Sequence, residues 1–113
     1  MGYLTSFTMS HDGDPKVVHA AMVAFPKAEF DYAFGVREGD DPQTSYETQE
    51  KCKWYSHNAD MRELSLKCPG VLFTTEGIGE DYPDVWKSWH KDGKMWRVDA
   101  NITFPEYDET KLR

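Results

Sequence analysis

One proline–glycine pair, Pro69-Gly70, limits what this chain can become more than any other feature. Ahead of it, Met61, Leu64, Ser65 and Cys68 recur at helical spacing. Ser56 or Asn58 is available as a cap, Asp60 suits the first turn and Lys67 the last. Behind it, Val71-Leu72-Phe73-Thr74-Thr75-Glu76 is a short apolar run of the kind a buried strand shows. Proline cannot continue a helix, and glycine suits the residue just past its end. The pattern therefore predicts a helix over 58–68, a sharp stop, and a strand from residue 71.

The flanking segments supply partners for this pair. Residues 3–10 alternate, with Tyr3, Thr5, Phe7 and Met9 on one face, and predict a first strand. Asp14-Pro15 is a helix start, because the carboxylate can cap and proline fits the first helical position. The helix is expected over 15–25, burying Val18, Ala21, Met22 and Phe25 and ending at Pro26, with His19 at its boundary. Residues 29–37 place Phe30, Tyr32, Phe34 and Val36 at period two and are expected as a second strand. Residues 46–55 alternate again and predict a third, interrupted at Glu50. The acidic Glu38–Pro42 connection would join these two as a hairpin. Residues 84–90 are expected as a short helix with Val85, Trp86 and Trp89 on one face. Asp92-Gly93 is a turn signal. Residues 95–104 give the cleanest alternation in the chain, with Trp96, Val98, Ala100, Ile102 and Phe104 expected inward, until Pro105 stops it.

The resulting architecture is α+β: one domain over 1–113, ordered β-α-β-β-α-β with an added C-terminal strand. This is the ferredoxin-like arrangement, an antiparallel sheet with both helices on one face. Its open face is expected to carry Leu4, Asp31, Ala33, Lys51, Lys53, Arg97, Asp99 and Asn101. A chain of 113 residues can bury a core without a metal or disulfide staple. Cys52 and Cys68 flank the predicted helix, whose ten residues would span ~15 Å, so both are read as reduced thiols. The amino terminus lacks a basic segment followed by an apolar one, and no apolar run approaches the ~20 residues of a membrane helix. The expectation is a cytoplasmic protein.

The stretch from residue 53 to 94 also carries a resemblance. Lys53-Trp54-Tyr55, Asp60-Met61, Leu64-Ser65, Pro69-Gly70-Val71-Leu72-Phe73, Glu80, Trp86 and Asp92-Gly93 resemble small phage- and plasmid-encoded ferredoxin-like proteins of the YubB/Api92 type. The resemblance implies a ferredoxin-like fold and a bacteriophage accessory protein, resident in the host cytoplasm.

Catalytic chemistry has little to build on. No nucleophile elbow, phosphate loop, zinc-protease helix or paired-cysteine site occurs, and the four histidines share no spacing. No metal and no cofactor is expected. The net charge of −7 argues against direct nucleic-acid binding, which depends on clustered Lys and Arg. The reading is therefore a non-enzymatic protein that binds and inhibits a host macromolecular machine, in the manner of an anti-defence or DNA-mimicking acidic protein. Candidate contact residues are Glu38, Asp40 and Asp41 in one loop, Glu76, Glu80, Asp81 and Asp84 in another, and the aromatic pair Trp86 and Trp89. The plainer account makes the acids solubilising loop charges. The alternatives are a self-assembling accessory domain that pairs through a sheet edge, and a small hydrolase using Glu76 with Glu80.

Overall fold

A computed structural model describes residues 3–25, 29–81 and 83–113. The first strand forms as expected, β1 (Thr5–His11), with Thr5, Phe7, Met9 and His11 buried. Asp14 caps α1 (Pro15–Val23) by accepting from the Lys16 backbone N–H at 2.9 Å. Val18 and Met22 are buried as the stripe requires. Pro26, expected to end this helix, lies outside the described residues, and the helix already closes on Ala24.

Residues 29–37 correct the reading. They contain a short helix, α2 (Phe30–Phe34), followed by irregular chain, and no strand. Phe30, Ala33 and Phe34 share a helical face as readily as Phe30, Tyr32 and Phe34 share a strand face. Tertiary packing chose the former, because Phe30 and Phe34 both present to the Trp54 indole, at 5.7 and 5.3 Å between ring centroids. Tyr32 is left 56% exposed. The predicted hairpin through the acidic connection disappears with the strand. The third predicted strand shrinks to β2 (Ser45–Glu47), because the chain bulges outward over Gln49-Glu50-Lys51 before it rejoins β1. Glu47 faces Thr8, but Cys52, not Glu50, faces Thr5. Such a bulge leaves its residues unpaired.

The second long helix is α3 (His57–Lys67), which buries Asp60, Met61, Leu64 and Ser65, with Cys68 buried just past its end. Beyond Pro69-Gly70 comes β3 (Phe73–Gly79), in which Phe73 is fully buried. Residues 84–90 then correct the reading again: they form β4 (Val85–Lys91), and no helix. Asp92 and Gly93, both at positive φ, make the two-residue turn into β5 (Lys94–Asp99). A turn of that kind needs a strand on each side.

The sheet is five-stranded and antiparallel throughout, in the order β2-β1-β3-β4-β5. β2 and β3 flank β1 and run parallel to each other, joined by α3. The core lies on one face, under the helices. Phe7, Met9, Phe73 and Trp86 contribute from the strands, Val18, Met22, Met61 and Leu64 from the helices, and Trp54 from the loop before α3. Gly77 makes room there: a β-carbon on it would collide with the Trp86 indole. Both cysteines are buried and free, and burial pushes their thiol pKa values up. No helix among the described residues is long and apolar enough to cross a membrane.

Candidate interaction surface

Strand register fixes which side chains share the open face. Glu76 faces Lys87, which faces Val98. Thr74 faces Trp89, which faces Trp96. Ile78 faces Val85. The buried set Trp86, Ser88 and His90 occupies the opposite side of β4, so Trp86 and Trp89 do not form one patch. Trp96, expected inward, stands on the open side and is 64% exposed. Arg97 and Asp99, expected on the open face, lie instead on the helix side, where Arg97 sits 4.7 Å from the Trp86 ring centroid. Ile102 and Phe104, also expected inward, are 44% and 86% exposed.

The open face therefore has an aromatic end and a hydroxyl-rich end. Trp89 and Trp96 stack with centroids 4.8 Å apart at an interplanar angle of 23°. Lys87 reaches over Trp89 at 5.7 Å and pairs with Glu76 at 3.3 Å. Beside them a hollow of about 230 Å³ is lined by Ile78, Val85 and Val98, among others. On β1 the same face shows Ser6, Thr8 and Ser10.

The acidic candidates separate into two groups at opposite ends of the sheet. Glu38, Asp40 and Asp41 precede β2, near the end where Ser10 meets Ser45. Asp40 accepts from the Arg37 backbone N–H at 2.9 Å, while Glu38 and Asp41 are exposed. Glu80, Asp81 and Asp84 follow Gly79, at the end where Thr5 begins β1. Their contacts tie down the start of the chain. Glu80 accepts from the Leu4 N–H at 3.2 Å, and the Tyr3 hydroxyl donates to Asp84 at 2.5 Å while accepting from the Asp81 N–H. The bond to Asp84 raises the Tyr3 pKa above its ordinary value. A seven-residue strand, ~23 Å long, separates the groups, so they make no continuous negative stripe. Glu76 and Glu80 stand apart too: one is ion-paired on the open face, the other holds the chain start.

On the covered side lies a polar cluster that sequence reading missed. His57 is packed against Phe7, Trp54 and Trp86 with centroids 5.5, 5.1 and 5.0 Å away. Burial drives its pKa down to about 3, helped by His90 and Arg97 nearby. Burial likewise lowers His90 to about 4, with Arg62 contributing. His90 Nε2 meets Asn58 Oδ1 at 2.9 Å. His57 Nε2, His90 Nδ1, Thr75 Oγ1 and Ser88 Oγ are buried without a hydrogen-bond partner among the described residues. A hydroxyl nucleophile needs its base within hydrogen-bond reach. Neither Thr75 nor Ser88 has that contact among the described residues. No group of three or more metal-ligating side chains occurs among the described residues.

Asp60 is another buried polar group, and three donors converge on its Oδ2. It accepts from Trp54 Nε1 at 2.7 Å, Ser56 Oγ at 2.8 Å and the Glu29 N–H at 3.2 Å. These bonds lock the start of α3 to the aromatic core and to the entry of α2. Comparison with protein-family models, with curated proteins and with solved structures returns no match for this chain.

Proposed function

We propose that this is a non-enzymatic binding protein that engages a partner protein through the open face of its sheet. The Trp89–Trp96 stack, in which Trp96 is exposed and Trp89 half-buried, supports this reading. Tryptophan anchors dominate protein interfaces because one rigid side chain buries a large apolar area. Glu47 and Glu76 on the same face disfavour a phosphate backbone as the ligand. The phage origin and the inhibition of a host or defence machine come from the resemblance of residues 53–94. A ferredoxin-like kinship belongs to the same proposal, supported by β2 and β3 flanking β1 with α3 between them. The acidic loops, at opposite ends of the sheet, then act as solubilising charge and as anchors for the chain start.

A pull-down from nuclease-treated bacterial lysate tests the reading. Wild-type protein should capture a discrete partner that survives high salt, and Trp96→Ala should lose it. The double reversal Asp40→Lys/Asp41→Lys should keep it. Loss of capture on the charge reversal, with retention in Trp96→Ala, would hand the interface to the acidic loop and overturn the proposal.

A further inference from the structure

The alternation that begins at Trp96 outlasts its partner strand. The ladder between β4 and β5 ends at Trp86 facing Asp99, with one further bond from the Ala100 N–H to the Val85 carbonyl at 2.8 Å. Among the described residues, the backbone from 101 to 108 makes no further bond to the body of the protein. Yet Ile102 and Phe104 continue the apolar set of Trp96, Val98 and Ala100, and both are exposed. Residues 101–113 are all exposed, and the molecule measures 58 Å in its longest dimension with a radius of gyration of 16.9 Å, against about 13 Å for a compact chain of this length. β5 is also the outer strand of the sheet, so one side of its backbone is unpaired.

Edge strands ordinarily carry charges that repel a second edge. Here the charges are self-complementary. Arg97 and Asp99 project from the same side of β5, two residues apart, and bind each other at 3.1 Å. In a twofold antiparallel pairing of two identical edges, the axis stands perpendicular to the sheet and passes through one residue facing its own counterpart. Centred on Arg97, the pairing would oppose two guanidinium groups. Centred on Trp96, it would set Arg97 against Met95. Centred on Val98, it sets each Arg97 against the Asp99 of the other copy and places Trp96 against the small Ala100. It also carries Ile102 onto the paired ladder, beside the Lys94 stem.

We propose that β5 and its extension, residues 94–102, pair antiparallel with the same segment of a second copy about an axis at Val98. The nine paired residues span ~30 Å, a full-length sheet edge. The two open faces then join into one surface, with a Trp89–Trp96 stack on either side of the axis. This assembly goes beyond the binding reading and does not depend on it.

Sedimentation velocity on the full chain, from low to high micromolar concentration, provides the test. Wild-type protein should pass from monomer to dimer as concentration rises. Arg97→Asp and Asp99→Arg should each weaken dimerisation about tenfold or more, since each sets like charges opposite one another twice. The swap Arg97→Asp/Asp99→Arg should restore it. Circular dichroism should be unchanged in all three, because both side chains lie outside the core. A protein monomeric at every concentration would overturn the proposal, as would a dimer indifferent to the single reversals or one the swap fails to restore. A dimer abolished only by removing residues 103–113 would assign the contact to the terminal arm and overturn it equally.

Discussion

The four tryptophans divide between the two sides of one sheet, and the division separates what holds the molecule together from what it can offer a partner. Trp54 and Trp86 lie on the covered side, 2% and 7% exposed. Trp54 is ringed by Phe7, Phe30, Phe34 and His57, and its N–H is taken up by Asp60. Trp89 and Trp96 lie on the open side, stacked on each other, the first half-buried and the second 64% exposed. The same residue type thus contributes its full apolar area to stability on one side and leaves much of it in water on the other. A large indole held in water does little for the fold, so its presence calls for another explanation, and a partner supplies one.

That contrast can be broken by mutation. The largest effect is expected at Trp54. Trp54→Ala should cost ~3–5 kcal/mol in urea denaturation, because it opens a cavity at the centre of the aromatic cluster. A loss below ~1 kcal/mol would show that the covered side is not the source of stability. Next comes the carboxylate that serves it. Asp60→Ala strands the buried Trp54 N–H and unlocks the start of α3, and should cost about 2–3 kcal/mol. Since Asp60 anchors the core and touches nothing on the open face, binding by the folded fraction should survive.

Acid should weaken the covered side selectively. His57 and His90 stay neutral in the folded state down to about pH 3 and 4, while the unfolded chain takes up protons near 6.5. The unfolded state therefore binds more protons between those limits, and stability is full above pH 6.5 and declines as pH falls through that window. Each histidine contributes about 2 kcal/mol, so a decline on the order of 3–4 kcal/mol between pH 7 and 5 is expected. His90→Phe should flatten the dependence, and an equally steep curve in that variant would assign the protons elsewhere. The smallest effect on stability is expected on the open side. Trp96→Ala should change unfolding free energy by less than about 1 kcal/mol, because the indole is mostly in water already. Intrinsic fluorescence should report loss of the stacked pair, and a destabilisation as large as that at Trp54 would place Trp96 in the core.

Much of the covered side was legible in the sequence. Asp14-Pro15, the stripe Met61, Leu64, Ser65 and Cys68, and the stop at Pro69-Gly70 each act over a few neighbouring residues. Local rules were therefore enough to place α1, α3 and the start of β3. The Asp92-Gly93 turn also contained the signal for β4, since such a turn joins two strands. Tryptophans spaced at Trp86 and Trp89 suggested a helical face instead, and the candidate patch was drawn across two sides of a strand.

What remained was decided by contacts between distant residues. Phe30 and Phe34 are compatible with either period, and only the indole of Trp54 selects the helix. Burial of His57 and His90 needs β1, β4 and α3 brought together. The side on which Trp96 emerges is set by the register against β4, where a shift of one residue reverses every side chain. The sequence by itself determined the Asp14 cap, the Pro69-Gly70 stop and the Asp92-Gly93 turn, because those depend on backbone geometry within a few residues. Which aromatic groups are buried and which face water was decided only by the tertiary structure, because hydrophobicity specifies that a residue can be covered and only the assembled sheet specifies what covers it.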